Sequence, residues 1–171
     1  MNVCSINEKS LYSKEFALCD GYHALSIHKK IFHLPDDNYF ICTEGQSFLS
    51  KIDQLVSSLF GSKDIPIKVH IVIDWETLFR LLLWKDEHIT VKQAYMLLID
   101  AGLTRIDIEP FLNSSLMDLF PSIYYSKRLE VLRRLCSKVK KTVEAKFSTY
   151  GLKTDCHLVP KGIDLITASS L

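Results

Sequence analysis

The sequence predicts an α/β fold, a parallel sheet with helices on its faces. Three observations predict it. The run Ile67-Lys68-Val69-His70-Ile71-Val72-Ile73 is rich in β-branched residues and reads as a strand. From that run onward, helical and strand patterns alternate to the C-terminal end, as parallel sheets require. The 171 residues are 47% apolar, enough for a core that needs no covalent staples.

The elements follow in order. In residues 1–64 the sequence suggests a small α+β segment. Phe16 to Phe32 lacks a clean helical period. Leu34-Pro35-Asp36-Asp37-Asn38 is a turn signal, and Tyr39-Phe40-Ile41-Cys42 reads as a returning strand, so a β-hairpin is expected. Phe48, Ile52, Leu55, Val56 and Leu59 share one helical face, and Gly61-Ser62 should end that helix. Residues 65–171 form the expected α/β unit. Asp74 closes the strong strand, and Glu76 to Trp84 is helical. Thr90 can cap a helix over Val91 to Ala101, with Gly102 ending it. Ile108 to Leu119 is a helical candidate, and Ser122-Ile123-Tyr124-Tyr125 reads as a short strand. The longest helix runs from Lys127 to about Tyr150, with a stripe of Leu129, Leu132, Leu135, Cys136, Val139 and Val143. Leu152 to Val159 is a further strand, and a last helix is expected from Gly162.

Composition narrows the classes. Twenty-one Lys/Arg against twenty Asp/Glu give a net charge of +1, too neutral for a disordered chain of this apolarity. The neutrality hides an asymmetry. Residues 127–171 hold ten Lys/Arg and four Asp/Glu, while residues 1–126 carry a net −5. A basic C-terminal third can attract phosphate, although a solvated helix face has the same composition. Five cysteines, an odd number, argue against a disulfide-dense scaffold. The N-terminus lacks a basic, apolar leader, and no apolar run approaches the ~18 to 20 residues of a membrane span. A reducing, cytoplasmic setting without membrane attachment is the expectation.

In an open parallel sheet, ligands bind beyond the C-terminal ends of strands. Asp74 follows the strand ending at Ile73, and Asp164 follows the strand ending at Val159. Two converging carboxylates can hold Mg²⁺ or Mn²⁺ through oxygen, with Glu76 in support, and such an ion can activate water toward a phosphodiester. The competing explanation is capping, since Asp at a helix start accepts backbone N–H bonds.

Three motifs carry a family resemblance over about residues 67 to 171. Val69-His70-Ile71-Val72-Ile73-Asp74-Trp75-Glu76-Thr77-Leu78-Phe79 resembles the first strand and acidic motif of the NYN branch of PIN-like nucleases. Ser122-Ile123-Tyr124-Tyr125 looks like that family's second strand, followed by its helix and a Tyr150-Gly151-Leu152-Lys153 step. Val159-Pro160-Lys161-Gly162-Ile163-Asp164-Leu165 is similar to its Lys-Gly-Val-Asp-Val signature. The resemblance implies a Rossmann-like sheet of PIN/NYN type and a metal-dependent endoribonuclease-like site. It makes Asp74 and Asp164 the Mg²⁺ or Mn²⁺ ligands, Glu76 a supporting carboxylate and Lys161 a phosphate contact. Arg133, Arg134, Lys138, Lys140 and Lys141 on the long helix would then face an RNA backbone.

The sequence departs from that pattern. Trp75 replaces Gly, Thr77 replaces Asn, and Ser170 stands where an acid is expected. The family's next strand has no counterpart before Leu171, so the fold is expected to be truncated, with an apolar sheet edge. A second expectation therefore stands beside the first. It is a degenerate, non-catalytic RNA- or protein-binding module whose sheet is completed by a protein partner or a second copy. Three other sets are expected to be structural. The Cys19, His23, His28, His33 series does not match a zinc spacing. Cys156 and His157 point to opposite faces of a strand and so cannot pair. Trp75 and Trp84 should pack in the core.

Overall fold

The computed structural model describes residues 14–60, 67–164 and 167–168. Its single sheet contains β1 (Lys14–Asp20), β2 (Tyr39–Cys42), β3 (Ile67–Ile73), β4 (Lys153–Leu158) and β5 (Thr167–Ala168), in the order β2-β1-β3-β4-β5. The first four strands run parallel, and β5 pairs antiparallel with β4. The helices are α1 (Gly21–Ile31), α2 (Phe48–Leu59), α3 (Trp75–Leu83), α4 (Val91–Ala101), α5 (Arg105–Ile108), α6 (Leu116–Tyr125) and α7 (Leu129–Lys146). No helix among the described residues is long and apolar enough to cross a membrane.

Strand alternation assigns the two faces. Phe16 and Leu18 of β1, Val69, Ile71 and Ile73 of β3, and Cys156 and Leu158 of β4 enter the larger core. Buried residues of α2, α3, α4, α6 and α7 complete it. The opposite face is thin. Ala17, Cys19, Ala24, Ile27, Val72 and Val159 form a small cluster there, and α1 is the helix that covers it. His70 and His157 also point to this face, as their alternation with Ile71 and Cys156 requires.

Several elements form for the reasons the sequence supplies. Thr90 and Gln93 make a reciprocal capping box at the start of α4, and Gly102 ends that helix at φ 110°. Trp75 is fully buried, and its indole N–H donates to the Leu116 carbonyl at 2.7 Å. Trp84 is half-buried with Lys146 over its ring.

Three expectations are corrected. The hairpin is absent: β1 and β2 are parallel, with Ala17 opposite Tyr39, and parallel neighbours need a crossover. Helix α1 is that crossover, and the Pro35–Asn38 turn merely leads into β2. The sheet thus draws strands from both sides of residue 64. Ser122 to Tyr125 is the end of α6 and not a strand. The Ser115–Asp118 capping box starts that helix, and Leu116, Leu119, Phe120 and Ile123 recur on its buried side, with Pro121 absorbed on the exposed side. A helix from Gly162 is overturned at Thr167–Ala168, which lie in β5. The chain turns at Pro160–Ile163, with Gly162 at φ 76°, and returns along β4. The edge of β4 is accordingly paired at His157 and Leu158. The helix stop read at Gly61–Ser62 and the position of Ser170 lie outside the described residues.

Candidate functional site

The chain leaves β1 toward β2 on one side and reaches β3 on the other, so the sheet order reverses between β1 and β3. The C-terminal ends of two such adjacent strands open a crevice. Asp20 ends β1 and Asp74 follows β3, which places both acids at this crevice. It holds about 660 Å³ and is lined among others by Asp20, Asp74, Glu76, Thr77, Arg80 and Lys161. The first turns of α1 and α3 also open onto it, and both helix N-termini favour negative charge.

Thr77 joins the two carboxylates. Its backbone N–H donates to Asp74 Oδ1 at 2.8 Å, which caps α3. Its hydroxyl donates to Asp20 Oδ2 at 2.5 Å. Asp20 occupies the capping position of α1 yet makes no capping bond, so its carboxylate is committed to the crevice. Burial pushes the Asp20 carboxyl up, and the Asp74 charge adds to that push. The Thr77 hydroxyl, the Asp74 backbone N–H and Lys161 oppose it. On the other side, Lys161 Nζ lies 3.7 Å from Asp74 Oδ2 on a side chain that is 78% exposed. An exposed ammonium thus stands beside Asp74.

Glu76 lines the crevice with its carboxylate held in place. Its Oε1 accepts from Arg80 at 2.8 Å and meets His88 Nδ1 at 3.0 Å. Burial alone would raise this acid, but His88 and Arg80 outweigh burial and hold it below the usual carboxylate range.

The expected residues divide between positions. Asp74, Glu76 and Lys161 come together at the crevice. Asp164 does not line it. It is exposed on the connection that turns back toward β5. The cations of α7 do not line it either, and most are paired with acids. Arg133 and Arg134 reach Glu130 at 3.1 and 3.4 Å, Lys138 reaches Asp100 at 3.1 Å, and Lys140 reaches Asp155 at 3.3 Å. Lys141 is exposed. Asp20 and Thr77 are the site residues that sequence reasoning missed. Their signals were an Asp-Gly step after a short apolar run and a hydroxyl three residues after Asp74. Of the Cys19, His23, His28, His33 series, His23 and His33 are exposed. His28 is buried and meets His70 and His157 across the thin face of the sheet.

The chain matches no protein-family model, no curated protein and no solved structure.

Proposed function

We propose that the crevice is the site of a metal-dependent RNA phosphodiesterase of PIN/NYN-like, Rossmann-like type, with Asp20 and Asp74 as the acidic pair. The observation that carries this reading is the Thr77 bridge between two carboxylates at the ends of adjacent parallel strands. Like charges held together in a half-buried crevice are suited to a hard divalent cation with oxygen ligands. Asp20, freed from capping, and Asp74 Oδ2, with the exposed Lys161 ammonium 3.7 Å away, would hold Mg²⁺ or Mn²⁺. When bound, that ion would supply Lewis-acid polarisation and a lowered water pKa.

The chain's own groups have complementary roles. Lys161 can leave Asp74 for a non-bridging phosphate oxygen. The N-terminal turns of α1 and α3 favour the same anion. The attacking water would form the new P–O bond and release its proton to solvent, and the bond to the leaving ribose oxygen would break, with that oxygen taking a proton from solvent. Tyr22 is 70% exposed on the crevice wall and offers a ring on which a base can stack.

A second reading has its own support. The Lys161–Asp74 ion pair already neutralises one acid, as expected of a non-catalytic RNA-binding module. Cleavage of end-labelled single-stranded RNA, with and without Mn²⁺, separates the two. The catalytic reading predicts Mn²⁺-dependent cleavage that falls about a hundredfold or more in Asp20→Asn and Asp74→Asn. RNA binding without cleavage would favour the second reading. Neither binding nor cleavage would contradict both.

A further inference from the structure

On the other face of the sheet, three histidines from three separate elements converge: His28 of α1, His70 of β3 and His157 of β4. All three are at most 1% exposed. His28 Nε2 lies 3.3 Å from His70 Nδ1, which lies 3.0 Å from His157 Nε2. One ligand nitrogen from each ring falls within 4.8 Å of the other two. Imidazoles bound tetrahedrally to zinc at about 2.0–2.1 Å stand roughly 3.3 Å apart, nitrogen to nitrogen.

A hydrogen bond beside His28 and a nearby carboxylate beside His70 bias where the protons sit. Tyr39 donates its hydroxyl proton to the Phe32 carbonyl at 2.7 Å. The contact of 3.3 Å between Tyr39 Oη and His28 Nδ1 therefore needs the proton on His28 Nδ1. This leaves His28 Nε2 with a lone pair directed at His70. His70 Nε2 faces Glu15 Oε2 at 3.6 Å, and a carboxylate favours a proton on that nitrogen. This leaves His70 Nδ1 with a lone pair as well. His157 Nε2 has one proton at most, so it cannot satisfy both lone pairs.

Without a further cation, His28 Nε2 and His70 Nδ1 oppose each other in a buried site, which is a costly arrangement. A divalent cation accepts all the lone pairs at once. The outer partners also match a metal site, where ligating histidines turn their second N–H toward a carboxylate or a carbonyl-linked oxygen. The Tyr39–Phe32 relay is such a partner for His28, while Glu15 stands 3.6 Å from His70 Nε2 and gives it charge without a hydrogen bond.

We infer that His28, His70 and His157 form a zinc site that fastens α1 to the sheet, with water in the fourth position. The need is local. Among the described residues, the buried apolar side chains of this face are a small cluster of alanine, cysteine, valine and isoleucine, with Leu25, Leu34 and Tyr39 packed against it, and three polar rings are buried on the same face. Zinc binding there supplies the stability that apolar burial supplies on the other face. The inference is independent of the crevice, since it uses none of its residues.

The test is metal analysis of the full chain expressed in zinc-supplemented medium, with melting of the chelator-treated protein on re-addition of Zn²⁺. About one zinc per chain is expected, with Tm rising as Zn²⁺ is added. His70→Gln and His157→Gln should lose the metal, while Asp74→Asn should retain it. Co²⁺ in place of zinc should give the intense visible bands of a tetrahedral site. Zinc at background level with a Tm unmoved by added Zn²⁺ would overturn the inference and leave a hydrogen-bonded imidazole cluster. Undiminished zinc in both histidine variants would overturn it too. If the variants do not fold, the wild-type titration alone decides.

Discussion

Thr77 ties the two crevice acids together through two hydrogen bonds. Asp74 caps α3 by accepting from the Thr77 backbone N–H, and the Thr77 hydroxyl donates to Asp20. Asp74 was legible because it follows a strand of unmistakable composition. Asp20 was not, because the strand before it reads Lys-Glu-Phe-Ala-Leu-Cys and contains no β-branched residue. The held pair has a cost that can be measured. Burial first, and the Asp74 charge second, raise the Asp20 pKa in the folded protein. The folded state therefore holds that proton more tightly than the unfolded chain. The stability Asp20 contributes is complete below its ordinary value of about 4 and is lost as pH rises through the raised folded value. Asp20→Asn keeps an acceptor for Thr77 and removes the charge. It should raise Tm at pH 7, with the advantage shrinking to nothing below about pH 4. Thermal melts across pH check this, and a lower Tm at pH 7 would contradict it.

At the scale of elements, local chemistry was legible wherever it was strong. The β3 and β4 strands, the Thr90 cap and the Gly102 stop lie where their residues placed them, and so does the stripe of α7 except at Leu129, which is exposed while Val131 is buried. Failures came where tertiary pairing or an upstream cap prevailed over local composition. Ser122-Ile123-Tyr124-Tyr125 has strand-like side chains, but the Ser115–Asp118 capping box upstream had already committed the backbone to α6. Strand β1 is held by neighbours on both sides, which its own composition does not announce. Gly102 offers a test of α4. Its φ of 110° is a glycine conformation, and an added Cβ would stand 3.0 Å from Arg134 Nη1. Arg134 can move aside, but the backbone strain cannot be relieved so easily. Gly102→Ala should cost about 1–2 kcal/mol, read from urea unfolding, with α4 retained. A neutral or stabilising result would show that the C-cap relaxes.

Across the whole molecule, several cations of the basic back pair with acids, mostly acids of the same segment. Four of the α7 cations expected to form a phosphate-binding face are engaged by Glu130, Asp100 and Asp155, and none of them lines the crevice. The open chemistry lies instead at the mouth of the sheet, where Asp20, Asp74 and Lys161 meet two helix N-termini. Lys161 should then carry the phosphate contact alone. Lys161→Ala should weaken RNA binding nearly uniformly across sequences and lower the salt slope by about one phosphate contact, measured by fluorescence anisotropy. A slope unchanged from wild type would place the RNA elsewhere. The central claim is that Asp20 and Asp74 form a divalent-cation site, and Mn²⁺ titration followed by the EPR signal of free Mn²⁺ tests it most directly. Wild-type protein should take up about one Mn²⁺ per chain, and Asp20→Asn with Asp74→Asn should abolish that uptake. Equal uptake by wild type and the double variant, or none by either, would contradict the account.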